Sequence, residues 1–490
     1  MFEVVFDYGE HDTDSPTPND TGQWLCRHDP FSAYRAGFEV RTYRLCQRVL
    51  MFHHFPSEAD VGANCLVRST DFVYRDTRNN SEDLKRGHPV ASFIASVTQS
   101  GYNRQTGGGY LKKSLPPLEF AYSRADIHEE VKEIDSESLE NLPIGLDGGT
   151  YQWVDLDGEG VSGILTEQAD AWFYKPNLGE GRFGPLETVA VKPSLAALSS
   201  GQQQLLDLAG DGQLDLVEFS GATPGFYERT HDQKWESHKP FASLPTIPWA
   251  DPNLRFVDLN GDGHADVLLT EHDVLTWHPS LAEKGFGPAQ QVRKPFDEEK
   301  GPRLVFADGT QSIYLTDMSG DGLTDFARIR NGEVCYWPNL GYGRFGAKVT
   351  MDDAPWFDTP DLFDQRRIRL ADIDGSGNTD IIYLGHDGVH IYLNQSGNRW
   401  GEPHKINQFP HVDNLSAVTA VDLLGNGTAC LVWSSSLRGD ARRPMCYIDL
   451  MGGQKPHLLT KTVNNLGAET HVHYAPATQF CLADKADGKP

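Results

Sequence analysis

Apolar residues in this chain fall in short runs broken by glycine- and aspartate-rich turns, a pattern of short strands rather than long helices. Up to about residue 128 the runs alternate with period two: FEVVFDY from Phe2, FEVRTYRL from Phe38, VLMFHHF from Val49, DFVYRD from Asp71, SFIASVTQ from Ser92 and LEFAYS from Leu118. Such alternation predicts a sheet with one wet face. From Val154 the pattern changes to a repeat, an apolar strand closed by Asp-x-x-Gly-x-Gly and followed by a second apolar strand. Six copies occur: VDLDGEGVSG, LDLAGDGQLD, VDLNGDGHAD, TDMSGDGLTD, ADIDGSGNTD and VDLLGNGTAC. Their leading aspartates, Asp155, Asp207, Asp258, Asp317, Asp372 and Asp422, are 52, 51, 59, 55 and 50 residues apart. A period near fifty leaves room for about four short strands per unit, one propeller blade, and six such units close a ring. A solenoid would favour shorter, more regular periods and polar caps at both ends.

A second element repeats behind the first: WFYKPNLGEGRFGP from Trp172, TWHPSLAEKGFGP from Thr276, CYWPNLGYGRFGA from Cys335 and, more loosely, IYLNQSGNRWGEP from Ile391. It reads as an aromatic strand, a turn and an aromatic-glycine corner whose rings pack between blades. The charged stretch 128–142 (HEEVKEIDSESLENL) reads as a linker ahead of the ring, and beyond Cys446 the alternating style returns in LLTKTVNN and ETHVHYAP around a hairpin turn at Leu466-Gly467. The expected fold is therefore all-β, with a six-bladed propeller over 143–446 inserted between two flanking antiparallel segments, 1–142 and 447–490, of one larger sheet. Insertion is geometrically easy because a ring's ends lie close together.

Composition narrows the partners. With 43 basic against 69 acidic residues the net charge is −26, which disfavours nucleic acid and anionic membranes. No apolar stretch approaches the ~20 residues of a membrane-spanning helix, and Met1-Phe2-Glu3 lacks the basic-then-apolar opening of a Sec signal. The seven cysteines are scattered without a Cys-x-x-Cys pair and read as buried free thiols.

The sharpest chemical candidate is calcium in the blade loops, because a hard cation takes six to eight oxygens and a nine-residue loop offers them at positions 1, 3, 5, 7 and 9. Three loops carry the set: Asp258, Asn260, Asp262 and Asp266 with the His264 carbonyl; Asp317, Ser319, Asp321 and Asp325; and Asp372, Asp374, Ser376 and Asp380. The other three break it, at Gly163, at Ala209, and at Leu424 with Cys430. All six keep the first aspartate and both glycines, so the turn itself is the common requirement and the cation an option. Gly179-Glu-Gly181-Arg-Phe-Gly184 and Gly341-Tyr-Gly343-Arg-Phe-Gly346 imitate a dinucleotide fingerprint but recur with the blades and open no helix. Arg438-Gly439-Asp440 spells an integrin-binding tripeptide, and His53-His54 and His471-x-His473 read as strand-surface histidines. No Gly-x-Ser-x-Gly elbow, His-Glu-x-x-His helix or phosphate loop is present, and the reading is of a binding protein, not an enzyme.

The Asp-x-Asn-Gly-Asp-Gly loops combined with WPNLGYGRFG and RAGFEVRTYRLCQRVLMFHHF from Arg35 resemble the middle region of the B components of insecticidal toxin complexes and the related SpvB-type virulence proteins. The resemblance covers nearly the whole chain, and the string before the ring is its specific part. It implies that the flanking strands belong to a shell of Rhs repeats. It also implies that the propeller docks on a pentameric channel-forming A component, that a C-terminal Rhs half or C component completes the shell, and that the ring gates passage of an unfolded effector. Secretion without a Sec signal follows from the same likeness. The Glu-x-Glu pair of ADP-ribosylating domains does not occur in this chain. The competing reading is a calcium-stabilised extracellular adhesion or carbohydrate-binding propeller.

Overall fold

The computed structural model describes residues 1–75, 91–142, 151–168, 171–189, 203–230, 233–310, 312–413, 416–435, 437–440 and 442–487. It divides into two compact units, one of residues 1–32, 41–124 and 456–474, the other of 33–40, 125–455 and 475–490.

The first unit is an eight-stranded antiparallel sheet. Its path runs through Phe2–Asp7, Arg48–Phe55, Gly62–Tyr74, Ile94–Arg104, Leu118–Tyr122, Leu459–Val463 and Glu469–His471, with Tyr110–Ser114 pairing to the side. Leu118–Tyr122 pairs with Leu459–Val463, so the strands before and after the repeat meet in one ladder, as insertion requires. The alternation is visible in Phe2–Asp7, where Phe2, Val4 and Phe6 are exposed on one face while Leu50, Phe52 and Leu66 are buried in the neighbouring strands.

The second unit is the propeller, six four-stranded antiparallel sheets. Blade one is Tyr151–Val154, Gly163–Gln168, Ala171–Lys175 and Glu187–Thr188; blade three, with an intact loop, is Leu254–Val257, Asp266–Thr270, Val274–His278 and Gln290–Arg293. Six apolar clusters each join one blade to the next: Leu156, Trp172 and Leu216 join one to two; Val217, Phe226 and Val267 two to three; Leu268, Trp277 and Phe326 three to four. Ala327, Tyr336 and Ile381 join four to five, and Ile382, Ile391 and Leu431 five to six. Ile164 and Phe183 of blade one pack with Leu423, Cys430 and Val432 of blade six, and this sixth cluster closes the circle. Trp172, Trp277 and Trp337 are among the largest fully buried side chains, which is the inter-blade role their repeat suggests.

The ring begins earlier than the sequence reading placed it. Blade six takes three strands from the end of the repeat, Ser416–Val421, Cys430–Ser435 and Met445–Asp449, and its fourth, Val131–Glu133, from the stretch read as a linker. Cys446 pairs with Glu133, Tyr447 with Lys132 and Ile448 with Val131. Three exposed residues on an outer edge need no apolar pattern, so the charge that suggested a linker is compatible with an edge strand. The far boundary also moves, since the ring unit runs through Lys455 instead of stopping at Cys446. Residues 143–150, where the ring was expected to start, lie outside the described residues. Residues 475–487 leave the sheet and hold a ten-residue helix, α1 (Ala477–Ala486), that belongs to the ring unit. Of the cysteines, all free, Cys65, Cys335, Cys430 and Cys446 are buried as expected, while Cys26 and Cys481 are exposed.

Candidate functional site

The turns between first and second strands of all six blades lie on one face of the ring, because every blade repeats the same antiparallel order. In each turn the first aspartate is held by backbone amides. Its Oδ2 accepts the N–H of the second glycine at 2.6–3.0 Å in every blade, from Gly160, Gly212, Gly263, Gly322, Gly377 and Gly427. Oδ1 takes amides earlier in the loop, such as Gly261 at 2.7 Å on Asp258 and Gly425 at 2.8 Å on Asp422. Both glycines in all six loops have φ between 69° and 91°, the left-handed region that side chains avoid, which accounts for their invariance among the copies.

The ninth-position acid is a staple rather than a rim group. Asp266, buried, accepts the Leu259 amide at 3.2 Å and the Ser280 amide at 2.7 Å; Asp325 accepts Met318 at 3.0 Å and Asn339 at 2.8 Å; Asp380 accepts Ile373 at 2.9 Å and Asn394 at 2.8 Å. Each ties the start of its own loop to the end of the blade's third strand. Desolvation raises these carboxyls, Asp266 to about 6 and Asp325 and Asp380 well above the usual range; backbone donors oppose the shift and the loop's other carboxylates add to it. Asp215 of blade two, raised to about 7 by burial, bonds the Leu208 amide in the same way. Gly163 of blade one departs from the pattern because Tyr174 does the job: its hydroxyl accepts the Leu156 amide at 3.4 Å, and a Cβ on Gly163 would sit 2.4 Å from it.

The candidate calcium ligands separate on geometry. Among the described residues, one group of three acids has ligand atoms within 4.8 Å of one another: Asp372, Asp374 and Asp380 of blade five. Even there the oxygens already receive amides, Ser376 on both Asp372 and Asp374 and Gly377 on Asp372, and the Ser376 hydroxyl oxygen accepts from Asn378 Nδ2. Asn260 spends its amide on Asp262 at 2.9 Å and its oxygen on the Asp262 N–H at 3.0 Å, and the His264 ring turns to the Leu208 carbonyl of the neighbouring loop. Ser319 hydrogen-bonds Asp317 at 3.4 Å, and Asp321 accepts the Tyr34 amide at 2.5 Å while its carbonyl accepts Arg35 Nε. In blade one the acids Asp157 and Glu159 meet cations of the chain itself, Arg229 at 2.6 Å on Asp157 and Lys485 on both. Amides and basic side chains thus answer most of the loop charge that a calcium ion would otherwise neutralise.

Sequence reasoning missed the asparagine of the Pro-Asn-Leu-Gly turn. Asn177 Nδ2 donates to Ser162 O and to Leu423 O of blade six, both at 3.0 Å, and its Oδ1 accepts the Gly179 amide. Asn394 does the same between blades five and four through Met318 O at 2.9 Å. Recurrence at one offset behind three of the four aromatic strands, with Ser280 at that place in the other, was the available signal. The two dinucleotide-like strings are these turns between strands, and Asp440 of the Arg-Gly-Asp string turns inward to accept the Ser435 hydroxyl at 2.7 Å. His54 and His471 pair with Glu3 and Glu469 in the flanking sheet.

Three families of known proteins match parts of the chain. Residues 1–55 match the family described as Salmonella virulence plasmid 65kDa B protein, 207–269 and 372–433 match the FG-GAP-like repeat, and 405–490 match the insecticide toxin TcdB middle/N-terminal region. The mono(ADP-ribosyl)transferase SpvB of Salmonella typhimurium is 54% identical over 107 residues, 21% of this chain and 17% of that protein. Among solved structures, the Photorhabdus luminescens Tc holotoxin pore superposes over all of this chain and 22% of its own with a TM-score of 0.83 and 29% identity. TcdB2-TccC3 superposes over the whole chain and 23% of its own with a TM-score of 0.67 and 28% identity. The chain thus spans a quarter or less of the relatives it matches. In fold and loops the chain is similar to propeller-bearing bacterial toxin proteins of the SpvB and TcdB type. Within that class the chain is similar to the B component of the insecticidal toxin complexes. Among the described residues no helix is long and apolar enough to cross a membrane.

Proposed function

We propose that this chain is the propeller and adjoining shell strands of a secreted toxin-complex B component, and that it binds and gates without catalysing. The ring docks on a pentameric channel-forming A component, and the flanking sheet continues into a shell completed by a C component, within which an unfolded effector waits. The observation that carries this reading is the ladder between Leu118–Tyr122 and Leu459–Val463, which makes a shell-like sheet and an inserted ring one design, together with the superposition of the whole chain on the holotoxin. The loop acids support a non-enzymatic role, because the turns consume them: their oxygens receive backbone amides of their own blades. The test is to mix the purified chain with an A-type channel protein and follow co-migration in size exclusion, with labelled NAD⁺ and a host-cell lysate as a parallel assay. Association at micromolar concentration without label transfer is the expected result. Transfer of label, or no association, would overturn the reading.

A further inference from the structure

Helix α1 rests on the loop face of the ring, over the junction of the last blade and the first. The Thr478 hydroxyl donates to the Gly425 carbonyl in the loop of blade six. One turn on, Leu482 lies against Gly179 of blade one, its Cδ1 3.3 Å from where a Cβ on that glycine would stand. A further turn brings the Lys485 ammonium onto Glu159, and onto Asp157 at 3.1 Å, in the loop of blade one. Positions 478, 482 and 485 follow the helical repeat and form one narrow stripe. The rest of the helix faces water, with Phe480 61% exposed. The two acids beneath it are the opposite, with side chains only 6% and 5% exposed.

We propose that α1 is a releasable latch on the ring, tying blade six to blade one through Thr478 and Lys485 across the junction where the circle closes. Among the described residues the junction is the one place where a blade is assembled from distant parts of the chain, Val131–Glu133 beside Met445–Asp449, so covalent continuity does not hold its outer strand to the rest. A ten-residue helix is marginal by itself and here rests on three side chains, so it detaches far more readily than a blade unfolds. Once it lifts, Glu159 loses the ammonium that offsets its burial and Asp157 keeps Arg229, which loosens blade one at the junction first. This inference stands on the ring alone and does not require docking.

Hydrogen exchange read by mass spectrometry on the full chain tests it. Lys485→Ala is expected to raise exchange about five-fold or more in α1 and in the junction strands Val131–Glu133, Tyr151–Val154 and Ser416–Val421, leaving blades three and four unchanged. Lys485→Arg is expected to keep the wild-type pattern, Glu159→Gln to reproduce the alanine variant, and added salt to move the wild type toward it. Faster exchange confined to α1, equal acceleration in every blade, or no change at all would each overturn the proposal.

Discussion

Replacing Asp325 with alanine isolates the work of the ninth-position acid. The carboxylate is wholly buried and accepts the Met318 amide at 3.0 Å and the Asn339 amide at 2.8 Å. Alanine leaves two buried N–H groups without acceptors, at about 1–3 kcal/mol each, a gross loss of about 2–6 kcal/mol. Removing a carboxylate whose charge burial disfavours returns part of this, so the net destabilisation expected is about 2–4 kcal/mol. Asp325→Asn keeps one acceptor but aims an NH₂ at the other amide, and should fall between wild type and alanine. The assay is equilibrium unfolding in guanidinium at neutral pH, read by tryptophan fluorescence, with Asp262→Ala as control. Asp262 is exposed, and its loss should stay within about 0.5 kcal/mol. An Asp325→Ala variant within about 1 kcal/mol of wild type would refute the staple, since two orphaned buried amides cannot be that cheap.

Three further outcomes follow from the same geometry. Burial lifts Asp215 to about 7 and Asp266 to about 6, above their unfolded values, so the folded ring binds protons that the unfolded chain does not. The contribution of these two acids to stability is therefore lost as pH rises through that range; wild type should gain more than Asp266→Asn between about pH 8 and 5.5 in thermal melts, and an equal gain would count against the assignment. Chelating calcium should leave the melting temperature unchanged, because the loop carboxylates are answered by amides; a fall of several degrees that Asp374→Asn abolishes would make blade five a metal site. Asn394→Ala should cost about 2–4 kcal/mol in the same unfolding assay, through the lost bonds to Met318 O, Thr379 O and the Gly397 amide, and a neutral variant would remove the inter-blade role given to the asparagine.

The ring was legible because its repeated element is chemically demanding. Two glycines at φ near +75° and an acceptor at the loop's first position tolerate few substitutes, so Gly261, Gly263 and Asp258 recur in every copy under other names. The shared sheet was legible from alternation on both sides of the insertion. Val131–Glu133 was not, because an exposed edge strand of three residues carries no apolar signature and its partner lies more than 300 residues away in the chain. The ninth-position acids left two readings open for a different reason. A carboxylate bonded to buried amides and a carboxylate waiting for a cation occupy the same spacing, and the partners that distinguish them, Ser280, Asn339 and Asn394, come from the far end of the blade. Lys485, Arg229 and Tyr34 lie outside the loops they serve, so no local motif announces them.

Closure of the ring by the strand from before the repeat can be read directly as a covalent bond. Glu133 and Cys446 are direct partners in adjacent antiparallel strands, close enough for a disulfide once Glu133→Cys is introduced and the exposed Cys26 and Cys481 are changed to serine. After mild oxidation of the folded protein, peptide mass spectrometry is expected to find positions 133 and 446 linked, with the link absent when oxidation follows unfolding. Two free thiols at those positions in the folded, oxidised protein would contradict the closed six-bladed ring on which the docking, gating and latch readings rest.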